Sequence, residues 1–177
     1  MKKIFSILMV FMAVSAMQAQ DFRKASWGMS KTQVKAIETL AIVEEDPEFI
    51  FYETTLAGHD VYLGYFFINE KLTRARYVIN EIYMNKQEYI EDYKYLNAML
   101  VKKYGEPSIE EEIWRENSTW KDDKAFALSV GDLEMFTSYS TPKSTITVIL
   151  YSEDLAIGNI IEYSSTDPEI KTLEEEK

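Results

Sequence analysis

The chain has no cysteine, one histidine, six glycines and four prolines in 177 residues, with 19 basic against 30 acidic side chains. Each shortage removes a class of function. Without cysteine there is no thiol nucleophile, no thiolate-bound metal, no disulfide and no lipid-modified anchor. A single histidine cannot build a multi-histidine metal site within one chain. A Ser-His-Asp triad would have to recruit His59 from a predicted, solvated hairpin turn. Six glycines form neither a phosphate loop nor a dinucleotide fingerprint. A net charge of −11 repels nucleic acid and anionic lipid surfaces, which both require basic patches. The expectation is therefore no cofactor, no metal, no nucleic-acid partner and no catalytic residue that can be named. Beyond the first twenty residues no long apolar run remains, so no integral membrane segment is expected in the mature chain.

Those twenty residues carry the clearest message. Met1-Lys2-Lys3 is basic, Ile4 to Ala16 is apolar apart from Ser6 and Ser15, and small residues lead to Ala19. That layout is a secretory signal peptide over 1–19, with Ala16 as a second exit, and its apolar core is too short to span a bilayer. The di-lysine start suits a bacterial signal, which places the product in the periplasm or outside the cell, soluble and not lipid-anchored. Removing Lys2 and Lys3 leaves an even more acidic product.

With no disulfide, packing alone must hold the fold, and 12 tyrosines, 9 phenylalanines and 3 tryptophans supply the material. Two helix starts look alike. Ser30 with Gln33 is a capping box, with Met29 and Val34 as its hydrophobic staple and Val34, Ile37 and Leu40 on one face. Asn85 with Glu88 repeats this, with Met84 set against Tyr89. Tyr89, Tyr93, Leu96, Leu100 and Tyr104 follow at helical spacing until Gly105 and Pro107 end the helix. Strand patterns cover 49–56, 61–68 and 72–79 after the first helix. After the second they cover 125–130, 133–140, 145–151 and 159–164, with Gly131-Asp132 read as a hairpin turn.

The order predicts an α+β fold: an antiparallel sheet with two main helices packed on one face, in two tandem αβββ-type halves over 27–83 and 84–166. The single domain spans 20–166, and 167–177 reads as an acidic flexible tail.

Among candidate binding residues, Lys71, Arg74 and Arg76 form a basic stripe on an acidic protein, and Tyr62 joins them on the preceding strand. The stripe can receive an acidic ligand or pair across strands with carboxylates. Carboxylates for glycan hydrolysis are abundant at Glu91-Asp92, Glu110-Glu111-Glu112 and Asp122-Asp123, as are tryptophans at 27, 114 and 120 for stacking on sugar. Charge runs, however, are ordinarily solvated faces. Asp122, Asp123 and Asp132 lack the spacing of an EF-hand loop.

Trp27-Gly28-Met29-Ser30-Lys31-Thr32-Gln33-Val34 resembles the Gly-Met-Ser/Thr-x-x-Gln-Val helix start of small exported lipoproteins of the SmpA/OmlA outer-membrane assembly type. That group is similar to the β-lactamase inhibitory protein fold. Gly105-Glu106-Pro107 matches the Gly-x-Pro after the helix in such modules; the anchoring cysteine and the first Gly-x-Pro are missing. The resemblance implies helices over an antiparallel sheet in tandem halves, and an exported, non-enzymatic module with an envelope or extracellular protein or ligand as partner.

Overall fold

The computed structural model describes residues 21–175; the expected signal peptide lies outside them. The chain runs through α1 (Lys31–Ile37), β1 (Ile42–Asp46), β2 (Phe49–Leu56), β3 (His59–Ile68), β4 (Lys71–Ile79), α2 (Gln87–Tyr104) and β5 (Ile109–Trp114). It continues through α3 (Lys124–Ser129), β6 (Leu133–Ser140), β7 (Ser144–Glu153), β8 (Ala156–Ser165) and α4 (Pro168–Glu175). All eight strands form one antiparallel sheet in the order β1-β2-β3-β4-β8-β7-β6-β5. The class is α+β. Two four-strand meanders meet at the β4–β8 seam, where Tyr77 lies opposite Ile161 and Arg76 opposite Glu162.

Alternation sorts the two faces of the sheet. The row Tyr52, Leu63, Tyr77, Ile161, Val148 and Thr137 crosses six strands in register and is buried throughout. The adjacent row, Phe51, Gly64, Arg76, Glu162, Thr147 and Ser138, points the other way. Helix α2 lies over the buried face of β6: Tyr93 Oη shares a 2.5 Å hydrogen bond with Thr137 Oγ1, and Tyr139 Oη donates to Asn97 Oδ1 at 2.9 Å. Tyr89, Ile90, Tyr93, Leu96 and Leu100 bury the inner face of the helix, as the spacing of its apolar residues requires. Gly105 takes φ 85°, and its N–H donates to the Val101 carbonyl, ending the helix.

The α1 capping box forms as expected, with Ser30 and Gln33 bonding each other's backbone. The start of α2 differs. Met84 is 99% exposed and makes no staple. Tyr83 takes that role, its ring 4.9 Å from that of Tyr89 and its N–H donating to Tyr89 Oη. Asn85 bonds Gln87 N–H through its side chain, one residue ahead of the flanking Lys86.

Three other expectations are corrected. The segment expected as a strand over 125–130 is helix α3, because Asp123 Oδ1 accepts from Phe126 N–H and caps it, while Ala127 and Leu128 bury. Gly131-Asp132 accordingly links a helix to a strand. The first half has four strands, not three, and the second reaches four through β5 in place of 125–130: β1 and β5 are the sheet's edges, and acidic residues such as Glu44, Glu45, Glu110 and Glu111 hide them from an apolar pattern. Charged edges block pairing with other chains. Finally, the segment read as a flexible tail folds into α4 from Pro168, with Ile170 buried.

Residues 21–29 form a strap. Ala25 is fully buried and bridged to Phe22. Phe22 sits with its ring 5.6, 5.4 and 4.8 Å from those of Tyr65, Tyr77 and Tyr163. Gly28, at φ 81°, donates to the Leu72 carbonyl, and Leu72 N–H returns to Met29. The strap thereby crosses the seam between the two meanders.

Candidate functional site

Of the four residues the sequence singles out, Tyr62, Arg74 and Arg76 share the sheet face opposite the core, and Lys71 stands exposed at the β3–β4 turn. The arginines are engaged across strands. Arg76 Nη2 and Nε contact Glu162 Oε2 at 2.5 and 3.0 Å, and Arg74 Nη1 lies 3.8 Å from the same oxygen. Both guanidinium groups also sit over the Phe66 ring, at 5.3 and 5.6 Å. On this face the Phe51 and Phe66 rings fold over Gly64, where an added Cβ would come within 2.6 Å of Phe51. The glycine makes room for the two rings, which meet edge to face at 5.6 Å, and the result is an aromatic plate with its cations already paired.

The carboxylate runs are likewise committed or solvated. Glu112 pairs with Lys124, Asp132 with Arg115 at 2.9 Å, and Asp123 caps α3. His59 opens β3 instead of lying in the turn: its side chain is 15% exposed, with Nδ1 3.7 Å from Asp92 Oδ2 and 3.5 Å from Tyr83 Oη. Tyr83 in turn donates to Asp92 at 2.6 Å. Among the described residues no group of three or more His, Asp or Glu side chains converges to hold a metal ion.

Concave surface lies elsewhere, at the seam on the core side of the sheet. A cavity of about 550 Å³ opens between the strap, the C-terminal end of α2 and the β6–β7 turn. Its floor is Tyr77 and Tyr163, from the two central strands, with Phe22 beside them. Arg23, Lys103 and Lys143 stand around it. A second cavity of about 570 Å³, lined by Trp27, Asp167 and Gln33 among others, adjoins it, and Asp21 and Lys143 belong to both. Their ion pair, 3.0 Å from Lys143 Nζ to Asp21 Oδ1, forms the partition.

The walls are held from behind. Glu38, its side chain 2% exposed, accepts from Arg23 Nε at 2.9 Å and from Tyr65 Oη at 2.6 Å, while Arg23 Nη1 reaches Tyr77 Oη at 3.5 Å. Burial alone would lower the pKa of the Arg23 guanidinium; its bonds to Tyr77 and Glu38 outweigh that and keep it charged. Burial raises the Tyr65 phenol, and the Glu38 carboxylate pushes it the same way. Tyr77 and Tyr163 are also raised by burial; Arg23 partly offsets the effect at Tyr77, and Tyr104, hydrogen-bonded to Tyr163, adds to it there. The floor phenols therefore stay neutral, and the Tyr77 hydroxyl accepts from Arg23.

On the opposite wall Trp27 Nε1 donates to Ser144 Oγ at 3.0 Å, tying the strap to β7. Lys103 lies with Nζ 4.8 Å from the Tyr104 ring and has no carboxylate within ion-pair distance among the described residues.

Sequence reasoning alone misses this site, because its residues come from positions 21 to 163 and meet only through the seam. Two partial signals exist: the abundance of tyrosine and the basic last turn, Lys102-Lys103, of α2. Among the described residues no helix is long and apolar enough to cross a membrane. No family model matches the chain, and it matches no curated protein and no solved structure.

Proposed function

We propose that this is an exported bacterial protein of the periplasm or cell exterior that binds a ligand and does not transform it. The observation that carries the reading is the seam cavity: concave, floored by aromatic rings and lined by three cations. A small number of placed polar groups over an apolar floor is the common form of a ligand pocket, and roughly 300–1,000 Å³ is the usual size. Among the described residues nothing around it resembles an activated nucleophile with its base.

The signal-like N-terminus supports export. The SmpA/OmlA-type resemblance at 27–34 agrees with helices over an antiparallel sheet, and the palindromic strand order fits an ancestral duplication of a helix-and-four-strand unit. The aromatic plate around Phe66 is a second surface on which a protein partner can rest.

The runner-up, a carboxylate-dependent glycan hydrolase, would use the adjoining cavity, where two carboxylates, Asp21 and Asp167, meet Trp27. Both carboxylates there have structural duties. Asp21 accepts from Trp27 N–H at 3.0 Å and pairs with Lys143, and Asp167 Oδ1 accepts from Glu169 N–H at 2.9 Å, holding the start of α4. Binding is therefore the better reading.

A ligand-observed NMR screen of chemically mixed small fragments tests it, with binders mapped on the aromatic signals of the protein. Binders that shift Tyr77 and Tyr163 are the expected result. A screen with no binder, or with binders that leave both tyrosines unmoved, contradicts the proposal.

A further inference from the structure

We infer that the seam cavity selects a small organic monoanion, a single carboxylate carried on an apolar, ring-sized body. The inference rests on the binding reading above and adds to it the class of ligand.

Charge comes first. The protein is acidic overall, at −11, yet three of the side chains lining this cavity are cationic. Two of them have structural partners, Arg23 with Glu38 and Lys143 with Asp21. That leaves the charge of Lys103 unbalanced by any carboxylate among the described residues, so the cavity carries one net positive charge. One negative charge on the ligand neutralises it; a second would find no partner and would meet the field of an acidic protein. Lys143, paired with Asp21, stands at the rim and adds no unbalanced charge, so Lys103 is the cation that meets the ligand.

The floor decides the rest of the molecule. Tyr163 is hydrogen-bonded to Tyr104, and the Tyr77 hydroxyl is met by Arg23, so the deep polar atoms are already satisfied. What the floor presents is the narrow margin of three mutually packed rings, Tyr77 and Tyr163 at 7% and Phe22 at 3% exposed, with centroids 4.8 to 6.5 Å apart. A flat apolar body meets that margin along its edge. A fully hydrated inorganic anion gains nothing from them. Lys103 stands beside the ring floor, which orients the ligand with its carboxylate toward Lys103 and its body on the seam.

The test titrates the full chain with benzoate, benzyl alcohol, benzylamine and inorganic phosphate, following the Tyr77 and Tyr163 ring signals. Benzoate is expected to bind saturably, with each of the other three weaker by about tenfold or more. Lys103→Gln should weaken benzoate by about fivefold or more and leave benzyl alcohol unchanged. Lys103 is exposed and has no ion pair among the described residues, so the variant removes the charge without loosening the strap.

Benzyl alcohol or benzylamine binding as tightly as benzoate overturns the anion selectivity while the binding reading stands. Phosphate binding as tightly as benzoate overturns the apolar body. Benzoate affinity unaltered by Lys103→Gln overturns the assigned headgroup contact. Silence from all four probes at millimolar concentration overturns the inference, and the mixed-fragment screen then decides whether the binding reading falls with it.

Discussion

The two halves of the sheet are built to one plan and roofed in different ways. Over the second meander lies α2, eighteen residues long and burying five of them, with α3 beside it. In the first half α1 is seven residues long and buries only Val34, and α4 packs on β4 with Ile170 buried. The strap makes up the deficit, with Phe22 and Ala25 as its apolar contribution and Arg23 reaching a buried carboxylate, Glu38, at the end of α1. One half is thus covered by apolar helix packing, the other by a short helix and a polar network. The seam cavity is the gap where these two roofs meet.

The comparison can be broken most severely on the helix side. Leu96 is fully enclosed and Leu100 nearly so; Leu96→Ala or Leu100→Ala is expected to cost about 2–5 kcal/mol in urea unfolding, since each leaves a cavity the packed sheet cannot fill. A loss below about 0.5 kcal/mol for either would mean that α2 is not the roof of the second half.

On the strap side the expected effect is smaller. Glu38→Gln removes the charge that Arg23 and Tyr65 share, and is expected to cost about 1–3 kcal/mol, with the Arg23 share reduced by its solvent exposure. Equal stability of this variant and the wild-type chain would show that the network does not hold the first half.

High pH sharpens the contrast. Burial raises the phenols of Tyr52, Tyr65 and Tyr77 in the first half and Tyr93, Tyr139 and Tyr163 in the second, Tyr139 up to about 12. Above about pH 10 the unfolded chain loses these protons while the folded chain keeps them, so the unfolded state binds fewer protons and stability falls as pH rises. Urea midpoints measured from pH 8 to 11 are expected to drop. In Glu38→Gln the drop should be shallower, because Glu38 helps to raise Tyr65 and Tyr52. A flat profile, or one that Glu38→Gln leaves unaltered, contradicts the account.

The smallest effect is a gain. The last hairpin of each half turns on two left-handed residues that are not glycine, Asn69-Glu70 and Asp154-Leu155. Glu70→Gly and Leu155→Gly are each expected to stabilise by about 1 kcal/mol, the cost of a left-handed conformation less the entropy of glycine. Thermal melts that fall for both variants would refute the turn assignment.

The parts that could be read in advance are the local ones. The Ser30–Gln33 box, the inner face of α2, its Gly105 stop and the strands over 49–56, 72–79 and 145–151 depend on neighbours a few residues away, and the pattern carries them. β1 and β5 escaped because edge strands need no apolar alternation. α3 escaped because Ala125 to Val130 has the apolar content of a strand, and only Asp123's cap decides otherwise. Of the four residues singled out for binding, Arg74 and Arg76 prove to be paired to Glu162 from a strand 86 residues away in sequence, counted between Arg76 and its partner. Phe22, Lys103, Lys143 and Tyr163 have nothing in their local spacing to unite them; the seam does that.

The most direct measurement is amide hydrogen exchange with and without benzoate. If the strap is both the roof of the first half and a wall of the site, the Ala25 and Gly28 amides, which donate to Phe22 and Leu72 carbonyls, should exchange more slowly when benzoate is present, as ligand binding stabilises the closed strap. Strap amides that exchange at the same rate with and without benzoate, while benzoate shifts the Tyr77 and Tyr163 signals, would contradict the claim that the strap forms the site.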